Sequence, residues 1–399
     1  MTKSSIIAGL DIGSSSVKVL VVLPKKESLE FEVLSQVSEP SFGVRRGVVI
    51  NVEKVSEIVF SALERAEKEI GQSIKDVFVN INGSHLFSTF SHGTIAVSRA
   101  DQKISKEDIE RVLEAAQTFS LPPNREILEV FPKEFIVDGE RGIKEALGMK
   151  GVRLEAEILV LGCFSPYLRN LEKAVLETGY QIAEIIPSPL ASAQAVLTAK
   201  AKEIGVLLLD IGAGTTGFSV FQEQSLICAG VIPIGSGHIT NDIAIGLKTD
   251  IETAERIKLQ YGACFLKGAK KIKIKERETG ETLVFSQKTL GKIIDARVAE
   301  IFEQVQKELK KFSLPKLPGG IVLAGGGAKL PKIKEFAKKI LKLPCRIGKI
   351  SGFLPKIEDP RLSCVCGLVL QGRETMEQDR ALAEGVFQKI KRVFKSFIP

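Results

Sequence analysis

The chain has few residues of the kinds that bind transition metals. Among its 399 residues there are six cysteines and three histidines. No Cys-x-x-Cys pair occurs, and His85, His92 and His238 lack metal-ligand spacing, so no zinc site is expected. The cysteines have apolar neighbours, which is typical of buried, reduced thiols in a cytosolic protein.

Three further absences narrow the class of protein. No stretch of about 18 uncharged apolar residues occurs, so no segment is expected to span a bilayer. The apolar residues 6–10 are expected to form a strand rather than part of a signal peptide. The P-loop motif G-x-x-x-x-G-K-[ST] is missing. The net charge of +8 comes from scattered Lys and Arg, so we expect no nucleic-acid partner.

Two acidic, glycine-rich turns are the most informative feature that the chain does contain. The first turn (residues 11–16) reads Asp-Ile-Gly-Ser-Ser-Ser, and the second turn (residues 210–217) reads Asp-Ile-Gly-Ala-Gly-Thr-Thr-Gly. Each follows an apolar run and leads into another, which predicts strand, turn and strand in duplicate. The second turn also matches the dinucleotide fingerprint, but strand-like residues 218–221 follow it where that fingerprint needs a helix.

Such turns are suited to binding phosphate. Glycine lets the backbone approach a ligand closely, and successive amide groups form a nest for an anion. A hairpin without ligand is the alternative for either turn alone, but the pair favours a nucleotide. Because Mg²⁺ keeps much of its hydration shell, Asp11 and Asp210 are expected to hold it through water. The predicted phosphate-binding residues are Gly13, Ser14, Ser15, Ser16, Lys18, Gly212, Ala213, Gly214, Thr215 and Thr216.

Two further elements are predicted to complete a nucleotide site. A buried strand over 321–324 ends in three glycines, whose backbone could lie against a base and ribose. Glu255 and Lys258 lie one turn apart on a helix predicted over 243–261. They are candidates for contacts to ribose and adenine, and a surface ion pair is the open alternative. The three glycines are Gly325, Gly326 and Gly327.

The C-terminal residues 386–399 have the pattern of an amphipathic helix. Apolar and basic side chains fall on opposite sides, as in a segment that lies in a membrane interface. Docking on the protein's own body or on a partner groove is the alternative. The polar residues 372–385 predict a mobile linker and favour the membrane. The residues assigned to it are Phe387, Ile390, Val393, Phe394, Phe397, Lys391, Arg392 and Lys395.

The three glycine elements resemble those of the actin-like ATPase superfamily, and the whole chain resembles the FtsA family of bacterial cell-division proteins. The family-like stretches include residues 79–83, 137–139, 148–155 and 233–242. The resemblance implies an α/β, actin-like (ribonuclease H-like) duplicated two-domain fold with an α+β insert subdomain and a C-terminal amphipathic helix. The implied boundaries are 1–82 with 166–198 for the first core, 83–165 for the insert, 199–228 with 300–371 for the second core, 229–299 for a small subdomain, 372–385 for the linker and 386–399 for the membrane-targeting helix.

The resemblance also implies a function. Members of this family bind ATP in the interdomain cleft, polymerise, and tether the tubulin-like protein FtsZ to the membrane, while the insert recruits later division proteins. For this chain it implies ATP and Mg²⁺ as cofactors, self-association into filaments, and anionic membrane lipids as partners. It also implies a peripheral location on the cytoplasmic face of the membrane at the division site. The C-terminal tail of FtsZ is expected on residues 229–299, with Arg297 as the candidate contact.

Two departures from related sequences predict weak catalysis. Ser188 precedes Pro189 where chaperone and filament relatives carry an acidic residue, and serine is a poor base. Gly217 replaces an acidic residue often found after the paired threonines. We therefore expect ATP binding with slow hydrolysis at most. The alternatives of the same fold are a type IV pilus assembly platform ATPase, which would not need the basic terminal helix, and a small-molecule kinase, for which the sequence offers no convincing aspartate base.

Overall fold

The computed structural model describes residues 6–383, apart from 26, 27, 29, 119, 120, 277–279, 313 and 315. The predicted amphipathic helix over 386–399 therefore lies outside the described residues. Within them, no helix combines the length and the hydrophobicity that crossing a membrane requires.

The first half is built on a six-stranded sheet. Its strands, in spatial order, are β11 (Gln181–Pro187), β6 (Asp76–Ile81), β1 (Ile7–Ile12), β2 (Ser16–Pro24), β3 (Phe31–Pro40) and β19 (Phe353–Leu354). β1, β2 and β3 form an antiparallel meander, whereas β6 and β11 run parallel to β1. β1 is buried throughout, because helices cover both faces of this sheet.

Three helices and a short hairpin complete the first half. Helices α1 (Val52–Ile70) and α3 (Ser165–Leu176) cover one face, and α10 (Ser363–Ala383) covers the other. The hairpin of β4 (Val44–Arg45) and β5 (Val48–Val49) lies between β3 and α1.

The second half repeats this topology. Its strands, in spatial order, are β14 (Ser225–Ile232), β13 (Thr216–Gln222), β12 (Val206–Ile211), β17 (Ile321–Ala324) and β18 (Cys345–Ile347). Again an antiparallel meander is followed by two parallel strands, so the predicted duplication is confirmed. Helices α8 (Gln287–Leu309) and α9 (Ile333–Leu341) cover one face, and α4 (Ser188–Val196) covers the other and leads through α5 (Ala199–Ile204) from the first half.

An α+β insert separates β6 from α3. Its four strands, in spatial order, are β7 (Phe87–Ala96), β10 (Arg153–Phe164), β8 (Arg125–Val137) and β9 (Glu140–Ile143), all antiparallel. Helix α2 (Lys106–Gln117) packs on β7 so closely that a Cβ on Gly93 would lie 2.3 Å from the Ala116 nitrogen. The Ser-x-x-Asp spacing of Ser105 and Asp108 predicts a capping box at the start of this helix, and the structure confirms it.

The predicted single helix over 243–261 is wrong. Two helices, α6 (Ser236–Leu247) and α7 (Ile251–Tyr261), occupy this region. The alternation of charged and apolar residues over 267–284 predicts a short exposed hairpin, which the structure confirms as β15 (Lys271–Lys275) with β16 (Thr282–Ser286). Lys248 ends α6 in the left-handed conformation, with φ 56°. The Asp250 carboxylate then accepts a hydrogen bond from the Thr253 amide at 2.7 Å, which starts a new helix.

The predicted mobile linker over 372–385 is wrong for residues 372–383, which continue α10. Tertiary contacts hold this polar stretch against the first half. A Cβ on Gly372 would lie 2.7 Å from side-chain atoms of Ile7 and Phe78. The Thr375 hydroxyl donates to the Glu184 carboxylate at 2.8 Å. Composition alone does not reveal such partners, because they lie far away in the chain.

Candidate functional site

The first and second turns face one cleft from opposite halves of the molecule. They join β1 to β2 and β12 to β13, and both line a cleft whose empty volume is about 580 Å³. The turns nearly touch, because a Cβ on Gly214 would lie only 2.6 Å from Ser14 Oγ. Asn82, at the end of β6, donates from Nδ2 to Thr215 Oγ1 at 3.2 Å. The twin turns therefore belong to a single site.

Both turns carry backbone amides without an internal acceptor. Each turn is closed by one hydrogen bond, from Gly13 N to Ser16 O at 3.1 Å and from Gly212 N to Thr215 O at 2.9 Å. Within the part of the chain that the structure describes, no protein acceptor bonds the amides between them. Such consecutive donors are suited to an anion. They are the amides of Ser14, Ser15, Ala213, Gly214 and Thr215.

Helix α6 orients the second turn. The amides of Ser236 and Gly237 each donate at 2.8 Å, to the carbonyls of Gly212 and Ala213 respectively. In a trans peptide the N–H points away from the C=O of the same unit. Because these two carbonyls point at α6, the amides of Ala213 and Gly214 point away from it.

Lys18 supplies a positive charge at the first turn. It lies opposite Asp11 across the first hairpin, and its Nζ is 2.8 Å from Asp11 Oδ2. Both side chains are largely buried, with exposures of 13% and 8%. Burial works to lower the pKa of Lys18, but the charge and hydrogen bond of Asp11, assisted by Asp210, outweigh it and raise that pKa. The ammonium group is therefore held in its charged form.

Asp210 forms no salt bridge with any residue that the structure describes. Its partner across the second hairpin is Gly217, and the Ser192 hydroxyl of α4 donates to Oδ2. Burial, together with the charge of Asp11, raises the pKa of Asp210 to about 6 against the opposing effects of Ser192 and Lys18. Gly325 lies directly against this carboxylate: a Cβ there would be 2.2 Å from Oδ1, and φ is +78°, so both space and conformation favour glycine.

The donors present fit a hydrated magnesium ion. Asp11 and Asp210 line the same cleft and supply carboxylate oxygens, the ligand type that Mg²⁺ prefers. No group of three His, Cys, Asp or Glu gathers as a metal cage within the described residues. That suits an ion that takes most of its ligands from water and phosphate.

Most of the predicted nucleotide residues line this cleft, and some do not. The residues that line the cleft do not include Ser16, Thr216, Gly326 and Gly327. The Thr216 hydroxyl, for example, donates to Ile234 O at 2.8 Å. The predicted residues along the cleft are Asp11, Gly13, Ser14, Ser15, Lys18, Asp210, Gly212, Ala213, Gly214, Thr215 and Gly325.

Glu255 and Lys258 are outside the cleft lining. Lys258 Nζ is 2.7 Å from Glu255 Oε2 and 2.8 Å from Thr240 Oγ1, so the pair joins α7 to α6. Arg297 is likewise engaged within the protein. Its Nη2 donates to Asp242 Oδ1 at 2.8 Å, and its Nε bonds the other oxygen of that carboxylate.

Several cleft residues carry no motif by which the sequence could have identified them. Arg361, just before α10, and Cys364, in its first turn, line the cleft. The Arg361 guanidinium is fixed by Asp359, with Nη2 and Oδ2 2.6 Å apart. Burial, with Asp11 and Asp210 nearby, raises the pKa of the Cys364 thiol far above its usual range, so this thiol is neutral.

Ser188 also lines the cleft, and its hydroxyl is already engaged. It accepts from Asn80 Nδ2 at 3.0 Å and donates to Ile81 O at 3.2 Å. With its proton committed to a backbone carbonyl, this hydroxyl is poorly placed to activate water.

Comparison with known proteins places the chain in a family. Residues 207–367 match the sequence model of the family described as Cell division protein FtsA, and residues 83–161 match that of the SHS2 domain inserted in FtsA. Cell division protein FtsA of Pseudomonas aeruginosa is 36% identical over 384 residues, covering 94% of this chain and 91% of that protein. The Bacillus subtilis protein of the same name is 36% identical, with coverages of 92% and 84%.

Solved structures support the same fold. The PilM–PilN type IV pilus biogenesis complex aligns with a TM-score of 0.63 at 16% identity, covering 92% of this chain and 98% of that one. MreB5 of Spiroplasma citri bound to ADP aligns with a TM-score of 0.56 at 14% identity, with coverages of 96% and 99%. The expected actin-like, duplicated two-domain fold with an inserted α+β subdomain is thus confirmed, and the chain belongs to the FtsA family of cell division proteins.

Proposed function

We propose that this protein is an ATP-binding, actin-like polymerising adaptor that tethers the FtsZ division ring to the cytoplasmic membrane and recruits later division proteins. The observation that carries the nucleotide part is the pair of turns with unbonded amides on opposite walls of one cleft. Five donors and the ammonium of Lys18 match the charge of a polyphosphate. The ADP-bound MreB5 structure has the same fold and is consistent with this assignment.

The residues of the cleft have different proposed roles in binding MgATP. The amides of the two turns and the hydroxyls of Ser14 and Thr215 would bind the phosphates, and Lys18 would neutralise their charge. Asp11 and Asp210 would hold Mg²⁺ through water, and that ion would supply charge neutralisation between the phosphates. Gly325 leaves room for the ligand beside Asp210. Closure of both turns on one ligand would join the two halves of the molecule.

Hydrolysis is expected to be slow. Ser188 is the cleft residue at the position where related proteins carry an acid, and its hydroxyl proton is committed to Ile81 O. A measured ATP turnover of about one per second or faster would contradict this part of the proposal.

The tethering part rests on the C-terminal sequence. Three phenylalanines and a basic flank within 386–399 have the composition of an interfacial anchor for anionic lipids.

Residues 229–299 are the proposed FtsZ-tail surface. Arg297 is bonded to Asp242. An acidic tail that binds there would therefore have to share the Arg297 guanidinium with Asp242 or displace the Asp242 carboxylate from it. Self-association into filaments is part of the same proposal, and the fold relative described as the MamK double helical filament is consistent with it.

One sedimentation experiment tests tethering. The full chain and a chain ending at residue 385 are centrifuged with anionic liposomes, each with and without MgATP. We expect the full chain to pellet with liposomes and the truncated chain to stay in the supernatant. A matched variant, Phe387→Ser with Phe394→Ser, keeps every basic residue and should also stay in the supernatant.

The nucleotide part has its own readout. Calorimetry of the truncated chain with MgATP separates nucleotide binding from lipid binding. Equal pelleting of all three chains would overturn the membrane anchor, and the lack of any heat of binding would overturn the nucleotide assignment.

A further inference from the structure

The insert is covalently part of the first half but packs against the second half as well. It leaves the first sheet after β6 and returns to it through α3. Its strands β7, β8 and β10 nevertheless contact β14, the edge strand of the second sheet. The insert therefore spans the boundary between the two halves, away from the turns that line the cleft.

Two polar contacts and an apolar layer hold this interface. The Ser88 hydroxyl of β7 donates to the Ala229 carbonyl of β14 at 2.9 Å. Lys144, just after β9, lies 3.3 Å from Glu223 in the turn between β13 and β14. Leu161 of β10 belongs to the same buried apolar cluster as Ala229. An open sheet edge is thereby covered.

The base of the insert also contacts the cleft. Asn82 is the residue between β6 and the insert, and its side chain donates to Thr215 in the second turn. His85 Nε2 bonds the Asn82 carbonyl at 3.0 Å, and the Phe164 amide at the far end of the insert donates to His85 Nδ1 at 3.4 Å. His85 near the start of the insert and Phe164 near its end are thus joined to each other and to Asn82, which contacts the second turn.

We propose that the insert is a clasp between the two halves, so that its docking on β14 and closure of the cleft on a nucleotide favour each other. Because the insert continues covalently into the first half at both ends, through β6 and α3, separating the halves at the turns would disturb its contacts with β14. The coupling is reciprocal: a protein that draws the insert away from β14 speeds nucleotide release. This inference rests on the nucleotide binding proposed above and assigns a means of regulating that site.

The chain offers a matched pair of serines to test the clasp. Ser88→Ala removes the hydrogen bond to Ala229 across the interface. Ser91→Ala removes a hydrogen bond of the same type, from Ser91 Oγ to Ala116 O at 2.6 Å, which lies entirely within the insert. The measurement is the rate at which N-methylanthraniloyl-ATP with Mg²⁺ leaves the full-length protein when chased with ATP.

We expect Ser88→Ala to release the nucleotide about fivefold faster, the effect of one hydrogen bond, and Ser91→Ala to stay within about twofold of the original protein. The exposed pair gives a second test. Lys144→Glu and Glu223→Lys should each speed release, by about twofold as expected for a surface pair, and the double exchange should restore the original rate.

Equal release rates for Ser88→Ala and Ser91→Ala, together with no restoration in the double exchange, would overturn the clasp while leaving nucleotide binding intact. No binding of the fluorescent nucleotide by any protein, including the unchanged one, would instead overturn the proposed nucleotide site and the clasp with it. Hydrogen exchange in β14 of the nucleotide-free protein provides an independent reading. It should rise in Ser88→Ala and remain unchanged in Ser91→Ala.

Discussion

The two halves place an aspartate at the same position of the same hairpin and surround it differently. Opposite Asp11 across the first hairpin is Lys18, and opposite Asp210 across the second is Gly217. A side chain at Gly217 is excluded by the connecting helix α4, because a Cβ there would lie 2.8 Å from Pro189 Cγ. At this position of the hairpin the first half therefore has the cation Lys18, whereas the second half has Gly217, against which α4 packs.

This difference shows how a duplicated hairpin acquires two roles. The first turn finds the partner for its acid within its own hairpin. The second turn depends on other elements, since Ser192 of α4 bonds its acid and Gly325 after β17 lies against it. A perturbation of the second half is therefore expected to reach Asp210 through several elements, whereas Asp11 is held by an ion pair within its own hairpin.

The largest expected effect comes from breaking that ion pair. Lys18→Met leaves the Asp11 carboxylate buried without its cation, which should lower the free energy of unfolding by about 4 kcal/mol. Urea unfolding of the nucleotide-free protein measures it. The double variant Lys18→Met with Asp11→Asn removes both charges and should recover most of the loss. A loss below about 1 kcal/mol in the single variant would mean that the pair is effectively solvated.

The close approach of the two turns predicts the next effect. Gly214→Ala places a Cβ 2.6 Å from Ser14 Oγ and 3.2 Å from the Arg46 Cα, so the turns must move apart. Overpacking of about 2 kcal/mol would weaken MgATP binding roughly 30-fold, measured by calorimetry. At Gly212 the same substitution meets no atom nearer than the Thr215 carbonyl oxygen, at 3.2 Å, and should weaken MgATP binding about threefold. Equal losses of MgATP affinity in the two variants would show that the close approach of the two turns does not affect nucleotide binding.

The smallest effect concerns Asp210, which lacks the direct salt bridge that Asp11 forms with Lys18. The pKa of Asp210 in the folded protein, about 6, is above its ordinary value of 3.8, so its ionisation opposes folding. The cost is present above about pH 6 and disappears as the pH falls below 3.8. Asp210→Asn should therefore be more stable than the original nucleotide-free protein at pH 7, by about 1–2 kcal/mol, and equally stable near pH 4.

Asp359 provides a control with the opposite pKa shift, measured in the same way as the pH dependence of unfolding. Burial works to raise the pKa of this carboxyl, but hydrogen bonds from Arg361 and Lys329 outweigh it and lower the pKa to about 2. Its ionised form therefore favours folding at neutral pH, and this contribution is lost as the pH falls towards 2. Asp359→Asn should be less stable than the original protein at pH 7. The same sign of change in both variants would refute the assigned environments.

The elements that the sequence predicts well are those whose causes are local. The strand–turn–strand pattern of both turns, the capping box of α2 and the β15–β16 hairpin each depend on neighbouring residues. The errors arise where local cues compete or distant ones decide. Asp250 restarts a helix inside an apparently continuous helical pattern. Residues 372–383 resemble a linker in composition, but contacts with the first sheet hold them in a helix.

The sequence by itself determined which residues could bind phosphate, because glycine conformations, amide donors and hydroxyl side chains are properties of a few consecutive residues. Only the tertiary structure decided that Ser14 meets Gly214, that Ser192 bonds Asp210, and that Arg361 and Cys364 enter the cleft while Glu255 and Lys258 pair outside its lining. These outcomes follow from the packing of two sheets on shared helices. That packing brings together residues that are far apart in the chain, and their separation in sequence does not indicate how close they lie in space.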